Sequence, residues 1–361
     1  MLSNPKLSFE QKVNLGSFYT PNNIVLTCKK LILNQIKNIR DFTILDTSCG
    51  AGNFFIFNEN KQIGVDIDET VIELIEKENY KLFNYNSLFQ FNRQKINISK
   101  NEKLLIIGNP PYNDITSFNK KKIKENSIKI DEELMSRDLG ISFLKSYNKL
   151  EADYICVLHP LSYLIKKANF NSLKEFKNNY RLIDSCIFSS KLFSELSKTE
   201  FPIVIALYKR DCKGMDFEYI KKYNFKTIEN KFFSINDFDF ITNEIDKYPN
   251  HNKITDEKTI GYFFPLRDIN ALKRNATFLK KNQKNSIKIT QEKLKYFSYI
   301  NWFKKNINKI PYYLGNIDVF YDKYFFSKNF YIFNDFEIKE EHIEQLENYL
   351  RTILGEHYES K

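Results

Sequence analysis

Four consecutive residues, Asn109-Pro110-Pro111-Tyr112, place two stiff rings between an amide side chain and an aromatic ring. Each proline fixes its own φ angle and restricts the residue before it. The Asn109 amide oxygen and the Pro110 carbonyl oxygen are therefore two acceptors with little freedom. Two convergent acceptors match the hydrogens of an exocyclic amino group, and accepting both makes its nitrogen more nucleophilic. Because Tyr112 can stack on the ring that carries this group, the motif predicts chemistry at an amino nitrogen.

A second polar motif follows the apolar run that ends in Asp46. It consists of small residues and two glycines, which let the backbone turn tightly and approach a ligand closely. The two glycines are Gly50 and Gly52. Asp66 ends the next apolar run, where a carboxylate can accept hydrogen bonds from both ribose hydroxyls of an adenosine. The third glycine of the dinucleotide fingerprint is missing, so the pattern predicts a different nucleoside-containing cofactor.

The elements that must hold these motifs alternate between strand and helix patterns. Apolar runs predict strands over "FTILDT", "QIGVDI", "KLFNYN", "KLLIIGN" and "DYICVLHP". A helix is predicted from Pro21 with Thr20 as its N-cap, and others over "ETVIELIEKEN", "DLGISFLKSYNKL" and around "FNSLKEFKNNY". The last two strand runs, "RLIDSCIF" and "FPIVIALYKR", look antiparallel. We therefore predict an α/β, Rossmann-like fold: a mostly parallel, doubly wound sheet with an antiparallel edge strand. Both polar motifs then meet at the carboxyl edge of this sheet.

The alternation of strands and helices stops near Arg210. We predict a cofactor-binding catalytic domain over residues 1–210 and a smaller α+β domain over residues 211–361. A chain of 361 residues is long enough for two such domains. The helical, acidic end of the chain, "EEHIEQLENYLRTIL", is predicted to be scaffold.

Composition narrows the function classes. A formal net charge of +10 favours an anionic partner, with nucleic acid first and an anionic membrane second. Five scattered cysteines without a CxxC pair predict no disulfide framework and favour a reducing cytoplasm. The four histidines form no metal-binding spacing, so no metal is expected. The sequence predicts neither a signal peptide nor a membrane span.

Basic residues concentrate between Ala271 and Ile310, a stretch with eleven lysines and arginines and one acidic residue. Interleaved aromatic rings would suit contact with phosphates and bases, although a solvated face with ordinary core aromatics fits each residue about as well. The predicted DNA contacts are Lys273, Arg274, Lys280, Lys281, Lys284 and Trp302. The polar, lysine-rich stretch after Tyr112, which includes residues 120–124, is predicted to close over a DNA backbone.

Taken in order, "FYTP", "LDTSCGAGNF", "GVDID" and "GNPPY" resemble the S-adenosylmethionine-dependent amino-methyltransferases of DNA. The resemblance covers roughly Gly16 to Arg210. It is strongest to the adenine-N6 enzymes of the gamma arrangement, TaqI-like methylases of type II restriction-modification systems. This resemblance implies a class I methyltransferase fold followed by a C-terminal target-recognition domain.

Roles carry over from the family to matching positions. Thr20 and Pro21 would cover the methionine end of the cofactor. Asp66 would hold its ribose, Ile67 would pack on its adenine, and Asn86 stands where the family often has an aspartate that contacts this adenine. The residues that would line the methionine and ribose side are Asp46, Ser48, Cys49, Gly50 and Gly52. The motif Asn109, Pro110, Pro111 and Tyr112 would be catalytic. Phe193 matches the aromatic residue that sandwiches the target base against Tyr112, with Phe201 as a rival.

The resemblance implies methyl transfer to the N6 amino group of an adenine flipped out of double-stranded DNA. A cognate restriction endonuclease acting separately is a possible partner. RNA or protein-glutamine amino-methylation remains an alternative, because a glutamine amide is another such group and charge does not distinguish RNA from DNA. A non-catalytic nucleic-acid-binding specificity subunit is the alternative from a different class.

Overall fold

The structure is a computed structural model, and it describes residues 20–72, 75, 80–112, 129–193 and 200–359. The chain forms two compact units: residues 1–197 with 203–220, and residues 198–202 with 221–361. The lysines at 120–124 that were predicted to close over DNA lie outside the described residues. None of the described helices is both long and apolar enough to cross a membrane.

One sheet organises the first unit. In the described part of the chain its strands are β1 (Phe42–Asp46), β2 (Gln62–Asp66), β3 (Tyr80–Asn84), β4 (Lys103–Gly108), β5 (Tyr154–Pro160), β6 (Tyr180–Ser189) and β7 (Pro202–Arg210). Their order across the sheet is β3-β2-β1-β4-β5-β7-β6. Strands β1 to β5 pair in parallel, and β7 runs antiparallel to β5. This is the predicted class I methyltransferase sheet, and all the predicted strands are confirmed.

The central strands are buried because helices cover both faces of the sheet. All of β1 and nearly all of β4 and β7 are inaccessible, which is why they are almost continuously apolar rather than alternating. The helices of this part, as far as the structure describes it, are α1 (Asn22–Gln35), α2 (Glu69–Ile72), α3 (Leu139–Lys149), α4 (Ser162–Ile165), α5 (Lys167–Ser172), α6 (Glu175–Asn179) and α7 (Phe217–Lys222).

The register of β1 against β4 positions the two motifs. Leu45 lies opposite Ile106, so both strands end at the same edge of the sheet. Asp46 and its glycine turn leave β1 there, and Gly108-Asn109 leaves β4 beside it. The meeting of the two motifs that the sequence predicted therefore follows directly from parallel pairing.

Two helices differ in detail from the prediction. Helix α1 begins at Asn22, and Pro21 rather than Thr20 occupies the N-cap position without a side-chain cap bond. The predicted helix around "FNSLKEFKNNY" is split into α5 and α6, because Lys174 between them adopts a positive φ of 50°. A left-handed residue interrupts the helical hydrogen-bond ladder, and periodicity alone does not reveal it.

The second unit is built from short elements around an aromatic core. Its described strands are β8 (Phe225–Lys226), β9 (Phe232–Phe233), β10 (Asp239–Phe240), β11 (Gly261–Phe263), β12 (Phe278–Leu279), β13 (Ile287–Ile289) and β14 (Phe320–Tyr321). Its described helices are α8 (Ile269–Arg274), α9 (Leu294–Lys305), α10 (Lys323–Asn329) and α11 (Ile343–Leu354). Strands β12, β11 and β13 form a small antiparallel sheet, and α9 contributes buried rings to the core.

Candidate active site

The turn after β1 is tied to the end of β2 by backbone and carboxylate hydrogen bonds. The Cys49 amide donates to the Val65 carbonyl at 3.0 Å, and the Gly50 amide donates to Asp66 Oδ2 at 2.9 Å. Gly50 and Gly52 have φ angles of 50° and 78°, a region that L side chains rarely adopt. The structure thus brings the predicted cofactor residues of both strands together, and the two glycines are what the turn requires.

Two polar atoms of this turn lack a partner in the part of the protein that the structure describes. Asp46 Oδ2 and Ser48 Oγ are buried, and neither has a hydrogen-bond partner among the described residues. Asp46 Oδ1 accepts from the Ser48 amide at 3.0 Å, yet burial still raises the pKa of the Asp46 carboxyl to about 8. A buried carboxylate oxygen and a hydroxyl left without partners are costly unless a ligand satisfies them. A β-carbon built on Gly50 would meet no atom within 4 Å, so open space lies beside the turn.

Asp66 and Ile67 stand at the end of β2 as predicted. The Asp66 carboxylate also accepts from the Asp68 amide at 3.0 Å, and burial raises its pKa above the ordinary value. Ile67 is 56% exposed although it is large and apolar, which suits an apolar ring packing on it. The Asn86 amide is engaged with the backbone: its Nδ2 donates to the Lys129 carbonyl at 2.7 Å, and its Oδ1 accepts from the Leu88 amide.

The turn that follows β1 and contains Gly50 and Gly52 is called the cofactor turn below. The start of α1 contacts this turn. Thr20 is buried, and its carbonyl accepts a 2.9 Å hydrogen bond from Asn53 Nδ2, one residue beyond Gly52. Pro21 follows directly and caps α1 with its carbonyl, which accepts from Ile24 and Val25. The two residues that were predicted to cover the cofactor are therefore joined to its turn.

The Asn-Pro-Pro-Tyr turn lies directly against the cofactor turn. A β-carbon built on Gly108 would stand 2.6 Å from Asp46 Oδ1, so only a glycine lets the two turns approach this closely. Asn109 is half-buried with its Oδ1 inaccessible, Pro110 is buried, and Tyr112 is half-buried. Burial and the nearby Asp138 raise the pKa of the Tyr112 phenol, which therefore stays protonated at neutral pH.

The pairing of Phe193 with Tyr112 around a base stays a prediction. Phe193 follows a short 3-10 turn after β6, and its ring meets the edge of Phe188 with centroids 5.6 Å apart. Its rival Phe201 comes shortly after residues 194–199, which lie outside the described part of the chain.

The predicted DNA contacts separate into two groups. Lys273, Arg274, Lys280, Lys281 and Lys284 are exposed, the last three in the loop from β12 to β13. Trp302 is only 6% exposed and packs among Tyr299, Phe333 and Tyr349, with ring centroids 5.3 to 6.3 Å away. Its assignment as a DNA contact is corrected, because a ring in the core cannot stack on a base.

Some lysines of the basic stretch hold the second unit together instead of facing solvent. Lys288 is buried and binds the Ile254 carbonyl and the Asp256 carboxylate, both at 2.9 Å. Lys293 donates to the Glu244 carbonyl at 2.8 Å, and Lys309 pairs with Glu347. Net charge counted along the sequence therefore overstates the positive surface of this stretch.

Sequence reasoning did not single out the residues that support the two turns. Ser87 Oγ donates to the Thr47 carbonyl at 2.7 Å, and Ser146 Oγ donates to the Ser87 carbonyl at 2.8 Å. Asp138 caps α3 by accepting from the Gly140 amide at 3.0 Å. An aspartate before a helical apolar run is an N-cap signal, whereas the serines carry no sequence signal.

In the described residues, no group of three or more histidine, cysteine, aspartate or glutamate side chains is arranged to hold a metal ion.

Solved structures with a similar fold include restriction-modification proteins. The type I restriction-modification methyltransferase subunit from Streptococcus thermophilus is 12% identical, with 83% of this chain and 58% of that chain covered and a TM-score of 0.40. The M protein of the type I restriction enzyme EcoKI is 12% identical over 59% of this chain and 48% of its own, with a TM-score of 0.42. The type IIG restriction endonuclease BpuSI is 18% identical, with 55% of this chain and 26% of that chain covered and a TM-score of 0.39.

The chain thus spans less than two thirds of each of these three proteins. A comparison with curated protein sequences gave no match. A protein-family comparison matched residues 6–172 to N-6 DNA Methylase, a segment that includes the glycine turn, Asp66 and the Asn-Pro-Pro-Tyr turn. Over residues 6–172, less than half of its 361 residues, the chain is therefore similar to the N-6 DNA methylase family.

Proposed function

We propose that the protein is a site-specific DNA methyltransferase that methylates the N6 amino group of a flipped adenine. The observation that carries this proposal is the close approach of the two turns, in which a β-carbon built on Gly108 would lie 2.6 Å from Asp46 Oδ1. This approach supports Asn109 and Pro110, which directly follow Gly108, as the acceptors beside the cofactor turn. A gamma-arrangement enzyme of a type II restriction-modification system is the finer form of the proposal.

The residues of the turn fit S-adenosylmethionine, which supplies an electrophilic methyl group on a sulfonium when it is bound. Its methionine moiety carries an ammonium group that suits the buried Asp46 Oδ2, which has no partner among the described residues. Asp66 is the acceptor for its ribose hydroxyls, and the exposed face of Ile67 suits its adenine. The Asn86 side chain already bonds two backbone groups, but its Oδ1 and Nδ2 can each make a second hydrogen bond, so it can also contact the cofactor adenine.

Asn109 and Pro110 act on the target amino group. Their two oxygens accept its two hydrogens, which localises the nitrogen lone pair and stabilises the positive charge that develops as the nitrogen attacks. Tyr112 stacks on the base and holds it at the angle that an in-line transfer requires. The proton leaves to water afterwards, so no strong base is needed. A base inside a duplex cannot reach this turn, and the substrate adenine must therefore be flipped.

DNA is favoured over RNA and over protein glutamine by the family match of residues 6–172. The second unit is the proposed target-recognition domain, with the exposed Lys280, Lys281 and Lys284 as proposed phosphate contacts. A purely binding subunit would have no use for a buried carboxylate oxygen, Asp46 Oδ2, that has no partner among the described residues beside the Asn-Pro-Pro-Tyr turn.

The test is incubation of the purified chain with methyl-labelled S-adenosylmethionine and genomic DNA that lacks adenine methylation. Base analysis should find label in N6-methyladenine, and mapping should place it within one short recognition sequence. Parallel reactions with total RNA and with a release factor cover the two alternative substrates. Label in RNA or in a glutamine amide, with none in DNA, would refute the proposal. Failure of the chain to bind the cofactor at all would favour the non-catalytic alternative.

A further inference from the structure

Tyr112 rests against a buried polar cluster that the reaction described above does not use. We define the tyrosine support cluster as Asp138, Gly140, His159, Tyr163 and Tyr208. It joins the start of α3 to strands β5 and β7 and to α4. Tyr163 and His159 are only 2% and 1% exposed, so their polar atoms are removed from water. Buried polar groups of this kind persist only when hydrogen bonds satisfy them.

Gly140 is the point where the cluster meets Tyr112. A β-carbon built on Gly140 would lie 3.0 Å from Tyr112 Cβ and 2.6 Å from the Tyr163 hydroxyl. The 2.6 Å distance is shorter than real β-carbon contacts, and the 3.0 Å distance is tighter than most of them. The bare backbone at the first turn of α3 therefore forms a wall against which Tyr112 packs, with the Tyr163 hydroxyl beside it.

Asp138 connects Gly140 to Tyr163 by hydrogen bonds. Its Oδ1 accepts from the Gly140 amide at 3.0 Å and also from the Tyr163 hydroxyl. The first bond fixes the end of α3, and the second fixes Tyr163 to that end. A phenylalanine would fill the place of Tyr163 without a buried hydroxyl, so the hydroxyl serves the link to Asp138 rather than packing.

His159 holds the other side of Tyr163. The two rings stack with centroids 5.2 Å apart and planes 12° from parallel. His159 Nδ1 lies 2.9 Å from the Pro160 carbonyl, which can only accept, so Nδ1 carries the proton. Nε2 therefore accepts from the Tyr208 hydroxyl at 2.7 Å. Burial lowers the pKa of His159 to about 4, which keeps the ring neutral and this bond arrangement fixed at neutral pH.

We propose that Tyr163 is a positioning residue that fixes Tyr112 for stacking on the substrate base, with Asp138 and His159 holding Tyr163 in turn. This inference rests on the proposed function. Tyr112 lies at the end of a turn, and its ring must keep one orientation for the amino group to face the methyl donor. The tyrosine support cluster supplies that orientation from the sheet and its helices, because its members lie on β5, β7, α4 and the start of α3.

The test is the substitution Tyr163→Phe, which keeps the ring and removes the bond to Asp138. We expect kcat for DNA methylation to fall about tenfold, since small misplacements of reacting groups are costly, while KM for S-adenosylmethionine stays unchanged. In a Tyr112→Ala background the same substitution should have no further effect, because Tyr163 acts only through Tyr112. Wild-type kcat in Tyr163→Phe, or a full additional loss in the Tyr112→Ala background, would overturn the inference.

The matched control is Tyr180→Phe. Tyr180 is also fully buried in the first unit and donates one hydrogen bond, to the Ala152 carbonyl at 2.8 Å, but it is not part of the cluster. In a denaturant titration, Tyr180→Phe should lower the free energy of unfolding about as much as Tyr163→Phe does, while its kcat stays at the wild-type value. Should Tyr163→Phe fail to fold, Gly140→Ala makes the same test, because its methyl group must displace Tyr163 or Tyr112. An inactive wild-type chain would instead contradict the proposed function, which distinguishes the two failures.

Discussion

The sheet-edge turns of the first unit and the basic stretch of the second unit were both chosen from sequence, but they behave differently in the structure. The turns after β1 and β4 come into contact, and Asp46 Oδ2 and Ser48 Oγ are buried there without a hydrogen-bond partner among the described residues. In the basic stretch some lysines are exposed, whereas Lys288, Lys293 and Lys309 bind acceptors within the second unit. Its only tryptophan lies in the core.

The difference teaches that residues tied to the ends of strands can be placed from sequence, whereas residues chosen by composition cannot. A strand end has a defined position because parallel pairing brings neighbouring ends to one edge. A lysine in a stretch without regular structure can face solvent or bond a carbonyl oxygen. The composition of the stretch does not distinguish these two cases. Four variants test this comparison.

Trp302→Ala should have the largest effect, and it tests whether Trp302 stabilises the core of the second unit. Removing a buried indole that packs on Tyr299, Phe333 and Tyr349 should lower the free energy of unfolding by about 3–5 kcal/mol. Denaturant titration measures this change. The exposed neighbour Lys305→Ala should change it by less than about 0.5 kcal/mol. Unchanged stability together with weaker DNA binding would restore Trp302 as a surface contact.

Asn109→Ala tests the sheet-edge turn. The loss of one preorganised acceptor should slow methyl transfer by about 10²–10³-fold, with the fold intact. Single-turnover transfer of labelled methyl groups to DNA measures the rate. Asn179→Ala is a matched control, because that half-buried amide donates to Asn148 Oδ1 at 2.9 Å away from the turn. Equal rates for Asn109→Ala and the control would mean that the Asn109 amide has no role in methyl transfer.

Asp46 gives a pH-dependent prediction. Its folded pKa of about 8 lies above the ordinary 3.8, so the unfolded chain releases this proton first as the pH rises. The contribution of Asp46 to stability is therefore complete below about pH 4 and falls between pH 4 and pH 8, by at most about 1.4 kcal/mol per pH unit. Relative to Asp46→Asn, the ligand-free wild type should lose stability between pH 5 and pH 7 in denaturant titrations. Parallel pH profiles for the two proteins would show that the carboxyl titrates normally.

The triple substitution of Lys280, Lys281 and Lys284 by alanine should have the smallest effect. Each lysine–phosphate ion pair that the substitution removes should reduce the slope of log affinity against log salt by about 0.9. Binding of the triple variant should therefore be weakened most at low salt. Fluorescence anisotropy with a labelled duplex at several salt concentrations measures the slope.

The control for this loop removes the same charge elsewhere. Lys37, Lys81 and Lys95 are exposed in the first unit near the amino ends of its strands, away from the candidate active site. Their replacement by alanine should leave the salt slope close to that of the wild type. An equal reduction of the slope in both triple variants would mean that net charge, rather than this loop, attracts the DNA.

Much of the first unit could be predicted from sequence because its signals are strong and local. Continuous apolar runs gave β1, β4, β5 and β7, and the order of the motifs indicated the class I sheet. The break at Lys174 and the bonding of Asn86 to the Lys129 carbonyl could not be predicted. A single left-handed residue has no periodic signal, and the second depends on a residue 43 positions away. Trp302 was misread because an aromatic ring among lysines looks the same in the core and on the surface.

The sequence by itself determined the strands, their glycine turns and the acceptor turn Asn109-Pro110, because glycine, proline and apolar runs restrict the backbone locally. Only the tertiary structure decided that Gly108 touches Asp46, that Asp46 keeps an oxygen without a partner among the described residues, and that Gly140 and Tyr163 support Tyr112. These contacts join residues that are far apart in the chain. Such contacts depend on strand register and side-chain packing, which local preferences do not specify.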